Sequence, residues 1–290
     1  MMGMVLLSGL RVLLELSLQL AVILLLLPVM FWLGEDVPAL LVGRAVAPLR
    51  ERYGRMAAFW RLTLRHGLPL EDGLMLALVL LVLLCLAGLS IVMPDVGAVM
   101  GAWLADPLLM GSVLLAGAFW AVPGPLWWMH GRCCLVLCLT ESFIVLAAPG
   151  VTGLRGVQQL LLAAPGSSLA GTALCCAVAL ALTTSLPDRQ TLADDMVARG
   201  QPVGRLARDQ RQVIVGVYHA GWSLLLGDLL LPVLFGLEGP GGVLGLSVRF
   251  VGGSVLVALG QMTGMRRHGR FVALLLGLAG LMALAGRFAV

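Results

Sequence analysis

Long apolar runs, separated by short polar or Gly/Pro-rich breaks, dominate the chain. Splitting at those breaks gives apolar segments over 12–33, 73–93, 107–129, 133–149, 168–186, 213–236, 243–262 and 271–288. A helix needs roughly 20 such residues to cross a ~30 Å hydrocarbon core. Within the segments Leu, Ala and Val run on in blocks without period-two alternation, which excludes a β-barrel. The pattern predicts an all-α, polytopic membrane protein forming a single integral membrane domain over 1–290, with about eight transmembrane helices. The first segment follows Arg11 and has the look of a signal peptide. It is too long for a signal core, no small-residue cleavage site closes it, and Glu15 and Gln19 interrupt it. It is therefore expected to stay as the first span.

Composition agrees. Sixty per cent of the 290 residues are hydrophobic and 12% are charged, with a mean hydropathy of +1.02. A soluble domain has too much apolar surface to hide behind so few charges. All 19 basic residues are arginine, and their distribution predicts orientation, because cytoplasmic loops retain positive charge. With eight spans, the odd-numbered loops carry 15 arginines, whereas Arg155 is alone in the even ones. That alternation predicts both termini on the outer side of a bacterial inner membrane.

Two of the inward loops exceed what a turn requires. The first (34–72) carries Arg44, Arg50, Arg52, Arg55, Arg61 and Arg65, and between them Met56, Phe59, Trp60 and Leu64 recur at helical spacing. This predicts an amphipathic helix along the membrane surface or under a partner subunit. The fifth (187–212) mixes Asp188, Asp194, Asp195 and Asp209 with Arg189, Arg199, Arg205, Arg208 and Arg211. Such a loop suits docking to a soluble partner as well as simple solvation.

Ionisable residues within the spans are costly and so are functional candidates. Glu141 lies near the middle of the fourth segment, in CLTESFIVLAAPG. It reads either as a proton relay or as a packed, protonated glutamate bonded to a neighbouring helix. Asp228 lies deep in the sixth segment, with His219 two to three turns earlier. The two read as part of a polar pathway, or His219 simply meets water at the cytoplasmic end. Glu15 and Gln19, four residues apart, form an inward-facing stripe unless Glu15 is solvated at the outer end. Arg249, near the start of the seventh segment, is expected to snorkel to the interface.

Motifs of soluble catalysis are missing from the sequence. It has no phosphate-binding loop, dinucleotide fingerprint, nucleophile elbow or HExxH pair. Cys133, Cys134 and Cys138 make no CxxC pair, and His130 beside them is a weak metal signal. With Cys85, Cys175 and Cys176 they are expected to pack between helices, without disulfides, metal or iron–sulfur cluster. No cofactor bound by the chain and no nucleic-acid partner is expected.

The order of these features resembles one family. This is the membrane subunit of respiratory complex I that docks the peripheral arm, with its relatives in formate hydrogenlyase and hydrogenase-4 type complexes. A first span containing LLLLPV is followed by the basic stretch LVGRAVAPLRERYGRMAAFWRLTLRHGLPLED, which ends in a short acidic turn. The helix from Arg132 to Pro149 resembles the family's glutamate-containing helix and places Glu141 on its motif glutamate. SLPDRQTLADDMVARG resembles the family's acidic loop, matching at Leu186, Pro187 and Asp194 or Asp195. The last two segments and QMTGMRRHGR resemble its C-terminal pair. Thr184 and Ser185 stand where the family has glutamate and lysine, and Gly260 and Gln261 replace a late acidic residue.

The resemblance implies a divergent membrane subunit with no catalytic centre of its own. It would anchor iron–sulfur and nickel–iron-hydrogenase-like peripheral subunits and sit beside antiporter-like membrane subunits. Protons would pass by Glu141, Asp228, His219, Asp194 and Asp195, while the arginines of loops one and five dock the arm. Whether a quinone binds near the first loop stays open. The alternative is the energy-coupling membrane subunit of an ABC-type vitamin or metal importer, on the strength of Ala198-Arg199-Gly200 in a cytoplasmic loop.

Overall fold

The computed structural model describes residues 2–41, 43, 48–88, 106–121, 127–151, 153–164, 167–184, 205–235, 237, 239–262 and 269–288. Every regular element among them is helical: α1 (Met2–Leu41), α2 (Leu49–His66), α3 (Leu70–Ala87), α4 (Pro107–Ala121), α5 (Trp127–Ala147), α6 (Gly153–Ala163), α7 (Ser168–Thr183), α8 (Arg205–Leu230), α9 (Gly239–Met262) and α10 (Gly269–Phe288). A single 3-10 turn, Pro232–Leu234, separates α8 from α9. The spans Leu13–Trp32, Leu70–Ala87, Gln210–Leu230, Pro240–Gly260 and Gly269–Phe288 are long and apolar enough to cross a membrane, and Pro107–Gly117 and Ser168–Thr183 are shorter apolar helices.

The bundle is built around α8, which packs against α9, α3, α7, α1, α4 and α2. Along the apolar window of α8, 83% of residues are buried, against 22% along α10. The peripheral helices turn large apolar side chains outward, among them Leu74, Leu81, Leu274 and Leu281. A soluble monomer rarely exposes so much contiguous apolar surface; here it is the face a bilayer covers, and the chain is a membrane protein.

At the α8–α9 crossing close approach is a backbone matter. A Cβ on Gly227 would overlap the carbonyl of Arg249, and one on Gly253 would overlap the carbonyl of Ser223. Glycine at both positions lets the two backbones touch, the usual device for packing helices where lipid provides no hydrophobic drive between them. That contact sets the depth at which side chains on the two helices face each other.

Several helix limits differ from the hydropathy breaks. α8 begins at Arg205, so Arg205, Arg208 and Arg211, read from sequence as loop residues, lie on a helix. Hydropathy marks where a chain becomes apolar; Leu, Ala, Arg and Gln are good helix formers and carry the helix past that point. α6 fills the fourth loop, where no helix was predicted; it is amphipathic, with Leu154, Val157 and Leu161 buried. α2 buries Arg52, Met56 and Phe59, while Leu64 is 85% exposed. The inward face of α2 is therefore rotated from the Met56–Leu64 stripe toward Arg52.

Candidate functional site: two buried carboxylates

Asp228 sits two residues before the last residue of α8, where the crossing with α9 brings Arg249 against it. Both side chains are shut off from solvent, with Arg249 1% and Asp228 0% exposed. The guanidinium donates to Asp228 Oδ1. It also donates through Nη1 to the carbonyl of Leu86 (3.2 Å) and through Nη2 to that of Ala87 (2.7 Å). Those carbonyls close α3, whose last turn has no helical donors left for them and carries the negative end of the helix dipole. α3 stops there because Gly88 turns into the left-handed region at φ 56°, against the ring of Phe235. That ring lies 5.1 Å from the Arg249 guanidinium carbon, within cation–π range.

The expectation that Arg249 snorkels is thereby corrected. Snorkelling frees an arginine from the bilayer at the cost of its buried contacts. Here a carboxylate, two helix-end carbonyls and an aromatic face compensate the charge in place. Asp228 Oδ2 and Arg249 Nε make no hydrogen bond to a described residue, so the pair is compensated on one side only.

His219, half-buried on α8, is nine residues from Asp228. At 100° per residue the two point to opposite sides of the helix, separated by about 13 Å along its axis. The structure gives Asp228 to Arg249 and leaves His219 beside the ring of Tyr218, 6.2 Å between centroids.

Glu141 is in a different situation. It lies on α5, which packs against α4, α7 and α10, and its Oε2 is buried without a hydrogen-bond partner among the described residues. Its polar neighbours in sequence are already engaged: Thr140 donates to Val136 O (2.8 Å) and Ser142 to Cys138 O (2.8 Å). A charge that acts on it is that of Asp106, a carboxylate of like sign. Asp106 caps α4, its Oδ1 accepting from the amides of Leu108 (2.8 Å) and Leu109 (3.1 Å). α4 and α5 lie close enough that a Cβ on Gly111 would run into the side chain of Leu137, one turn before Glu141. The start of α4 thus comes level with Glu141.

On α1, Glu15 and Gln19 are buried, Gln19 Nε2 donating to Glu15 Oε1 at 3.4 Å. They continue a stripe through Ile23, Leu27 and Met30, the inward-facing alternative of the two left open by the sequence. The six cysteines carry free thiols. Cys85, Cys133, Cys175 and Cys176 pack inside, but Cys134 and Cys138 are exposed along the outward face of α5 rather than buried between helices. Among the described residues no group of three or more His, Cys, Asp or Glu is disposed to hold a metal ion.

Of the arginines singled out in the first loop, Arg50, Arg55, Arg61 and Arg65 are exposed on α2 and Arg52 is buried. Arg55 pairs with Glu51 at 3.4 Å. Arg211 is buried on α8. Arg44, Asp194, Asp195 and Arg199 lie outside the described residues, as do the side chains of Arg205 and Arg208. No protein-family model matches the sequence, and no curated protein matches it either.

Proposed function

We propose that the chain is a membrane subunit of a multi-subunit oxidoreductase assembly of the complex I or hydrogenase type. In this reading it crosses a bacterial cytoplasmic membrane eight times with both termini outside. It anchors the peripheral redox arm, contributes to proton translocation and binds no cofactor itself. The observation that carries the reading is the meeting of the two arginine-rich segments. α2, from the first long loop, packs on the opening turns of α8, which follows the second; Arg52, Arg55, Gln210 and Gln212 border one cleft. The first segment thus brings Arg52 and Arg55, and the second Gln210 and Gln212, to one cleft at the same end of α8, which supports a shared docking face. The buried oxygen of Glu141, unpartnered among the described residues, supports the proton-handling part, because a costly ionisable group kept inside a bilayer is a functional candidate.

Affinity purification of the tagged chain from native membranes in mild detergent tests the reading. Iron–sulfur, nickel–iron-hydrogenase-like and antiporter-like subunits are expected to co-purify. Raising the salt should loosen the peripheral ones first, because screening shortens to a Debye length of about 8 Å already at 0.15 M. Recovery of a pair of ATPases with a substrate-binding membrane protein would overturn it in favour of an importer.

A further inference from the structure

The outward face of α2 carries charge that the chain itself does not answer. The helix holds five arginines against one glutamate. Arg52 turns inward with Met56 and Phe59, and Arg55 pairs with Glu51. Arg50, Arg61 and Arg65 are exposed and form no hydrogen bond or ion pair among the described residues. At 100° per residue these three fall within about 60° of one another, on the side of α2 opposite Phe59. Arg50 and Arg61 are eleven residues apart, three turns or about 16 Å along the axis.

Between those arginines the face is low. Gly54 and Ala57 lie on it, both exposed. Gly54 is in the helix interior, where glycine weakens a helix relative to alanine. A Cβ placed on it meets nothing within 4 Å, so packing within the chain gives no reason for it. Glycine there leaves room for a second backbone to come close. Leu64, 85% exposed, adds an apolar contact at the edge of the same face. Lipid is met by a different flank. Tyr53 and Trp60, about a quarter turn away, border an apolar groove with Leu24, Leu25 and Pro28 of α1, and such aromatic side chains mark the border of the hydrocarbon.

We propose that this face receives an acidic helix of a peripheral protein, laid along α2 with carboxylates on Arg50, Arg61 and Arg65 and its backbone close over Gly54 and Ala57. Three unanswered guanidinium groups select an acidic partner, and their spacing on a rigid helix matches carboxylates three turns apart on another. A layer of headgroups needs neither that spacing nor a low floor. A second copy of the chain brings the same three cations and is repelled. The proposal rests on the reading above for the existence of a peripheral partner and adds that partner's chemistry.

The chain has no lysine, so Arg50→Lys and Arg61→Lys each supply one new side-chain amine for the test. In native membranes a carbodiimide should join that amine to an Asp or Glu of a peripheral protein. Peptide mapping should place the two linked carboxylates on one helix, about eleven residues apart. Arg61→Gln should weaken co-purification of that protein about threefold to fivefold, the effect of one exposed ion pair, and make it less sensitive to salt. Arg155→Gln, the same change on α6, should leave it unaltered. Gly54→Ala should raise the thermal unfolding midpoint of the isolated chain, whereas Gly54→Leu should weaken retention about tenfold by holding the backbones apart. Linkage of both amines only to this chain, to a second copy or to lipid overturns the proposal, as do equal losses in Arg61→Gln and Arg155→Gln; the redox reading survives either result if its peripheral subunits still co-purify. Linkage to the acidic helix of an ATPase supports the proposal and overturns the redox reading. A native chain that retains no peripheral protein overturns both.

Discussion

The bundle handles two intramembrane carboxylates in opposite ways. Asp228 is neutralised by Arg249, which also caps α3, so one ion pair ties α8, α9 and the end of α3 together. Glu141 feels a like charge at Asp106 and keeps an oxygen buried with no partner among the described residues. A bilayer tolerates either arrangement, for different reasons. A closed pair costs desolvation, offset by its hydrogen bonds, and does architectural work. An open carboxylate contributes nothing to the packing, so its retention needs another reason. Burial alone does not separate architecture from chemistry; what the second oxygen and the nearest charge are doing does.

The largest break in that comparison is Asp228→Ala. It leaves the Arg249 guanidinium buried with only carbonyls and a ring, and should cost about 3–5 kcal/mol, read as a fall in the thermal unfolding midpoint in detergent. Arg249→Leu should cost less, because a carboxyl left alone neutralises itself by taking a proton whereas a guanidinium stays charged. The double variant Asp228→Leu, Arg249→Leu should recover part of the loss, since an apolar replacement of a buried pair is often neutral. If Glu141→Ala cost as much as Asp228→Ala, the contrast would be wrong.

Next in size is the crossing that creates the pair. Gly227→Ala pushes a methyl into the Arg249 backbone and should cost about 1–3 kcal/mol. Gly277→Ala, on α10 with nothing within 4 Å of the added carbon, should be neutral or stabilising by up to about 1 kcal/mol, because alanine removes backbone freedom from the unfolded chain. Equal effects at the two glycines would remove the steric basis for placing Arg249 beside Asp228.

The contrast was only half legible in the sequence. Glu141 and Asp228 stand out because charge in an apolar run is rare, and period and hydropathy sufficed for the helical class. The partner of Asp228 is hidden when Arg249 is taken alone, as a residue near a helix end. Opposite charges on consecutive spans joined by a short link were a signal that each compensates the other. The register that joins them depends on Gly227 and Gly253, and glycines in an apolar segment do not announce which neighbour they admit. The rotation of α2 toward Arg52 was likewise hidden, since a stripe drawn through Met56, Trp60 and Leu64 assumes that only apolar side chains face inward. Helix limits at Arg205 and Gly153 escaped because polar helical residues leave no trace in hydropathy.

A smaller effect separates the two roles of Asp106. Asp106→Ala removes the cap of α4 and should cost about 1 kcal/mol, whereas Asp106→Asn keeps an acceptor for the amides of Leu108 and Leu109 and should cost a few tenths. Both remove the like charge that acts on Glu141. If that charge matters to proton exchange, the two variants should change the pH dependence of proton movement alike while differing in stability. Different pH profiles would tie the effect to the fold of α4 instead.

A small stability change is also expected of Glu141→Gln, and it sharpens the comparison most. Glutamine is nearly isosteric, and the oxygen it replaces has no hydrogen bond to lose, so the midpoint should move by no more than about 0.5 kcal/mol. On the function proposed above, proton movement by the assembly should nevertheless fall, because an amide does not exchange a proton as a carboxyl does. Turnover with an artificial electron acceptor, measured on the same preparation, should be less affected than coupled proton uptake. Unchanged stability together with unchanged proton movement would make Glu141 a packed, neutral side chain. The bundle would then be an anchor, with Asp228 and Arg249 as its only charged device of consequence among the described residues.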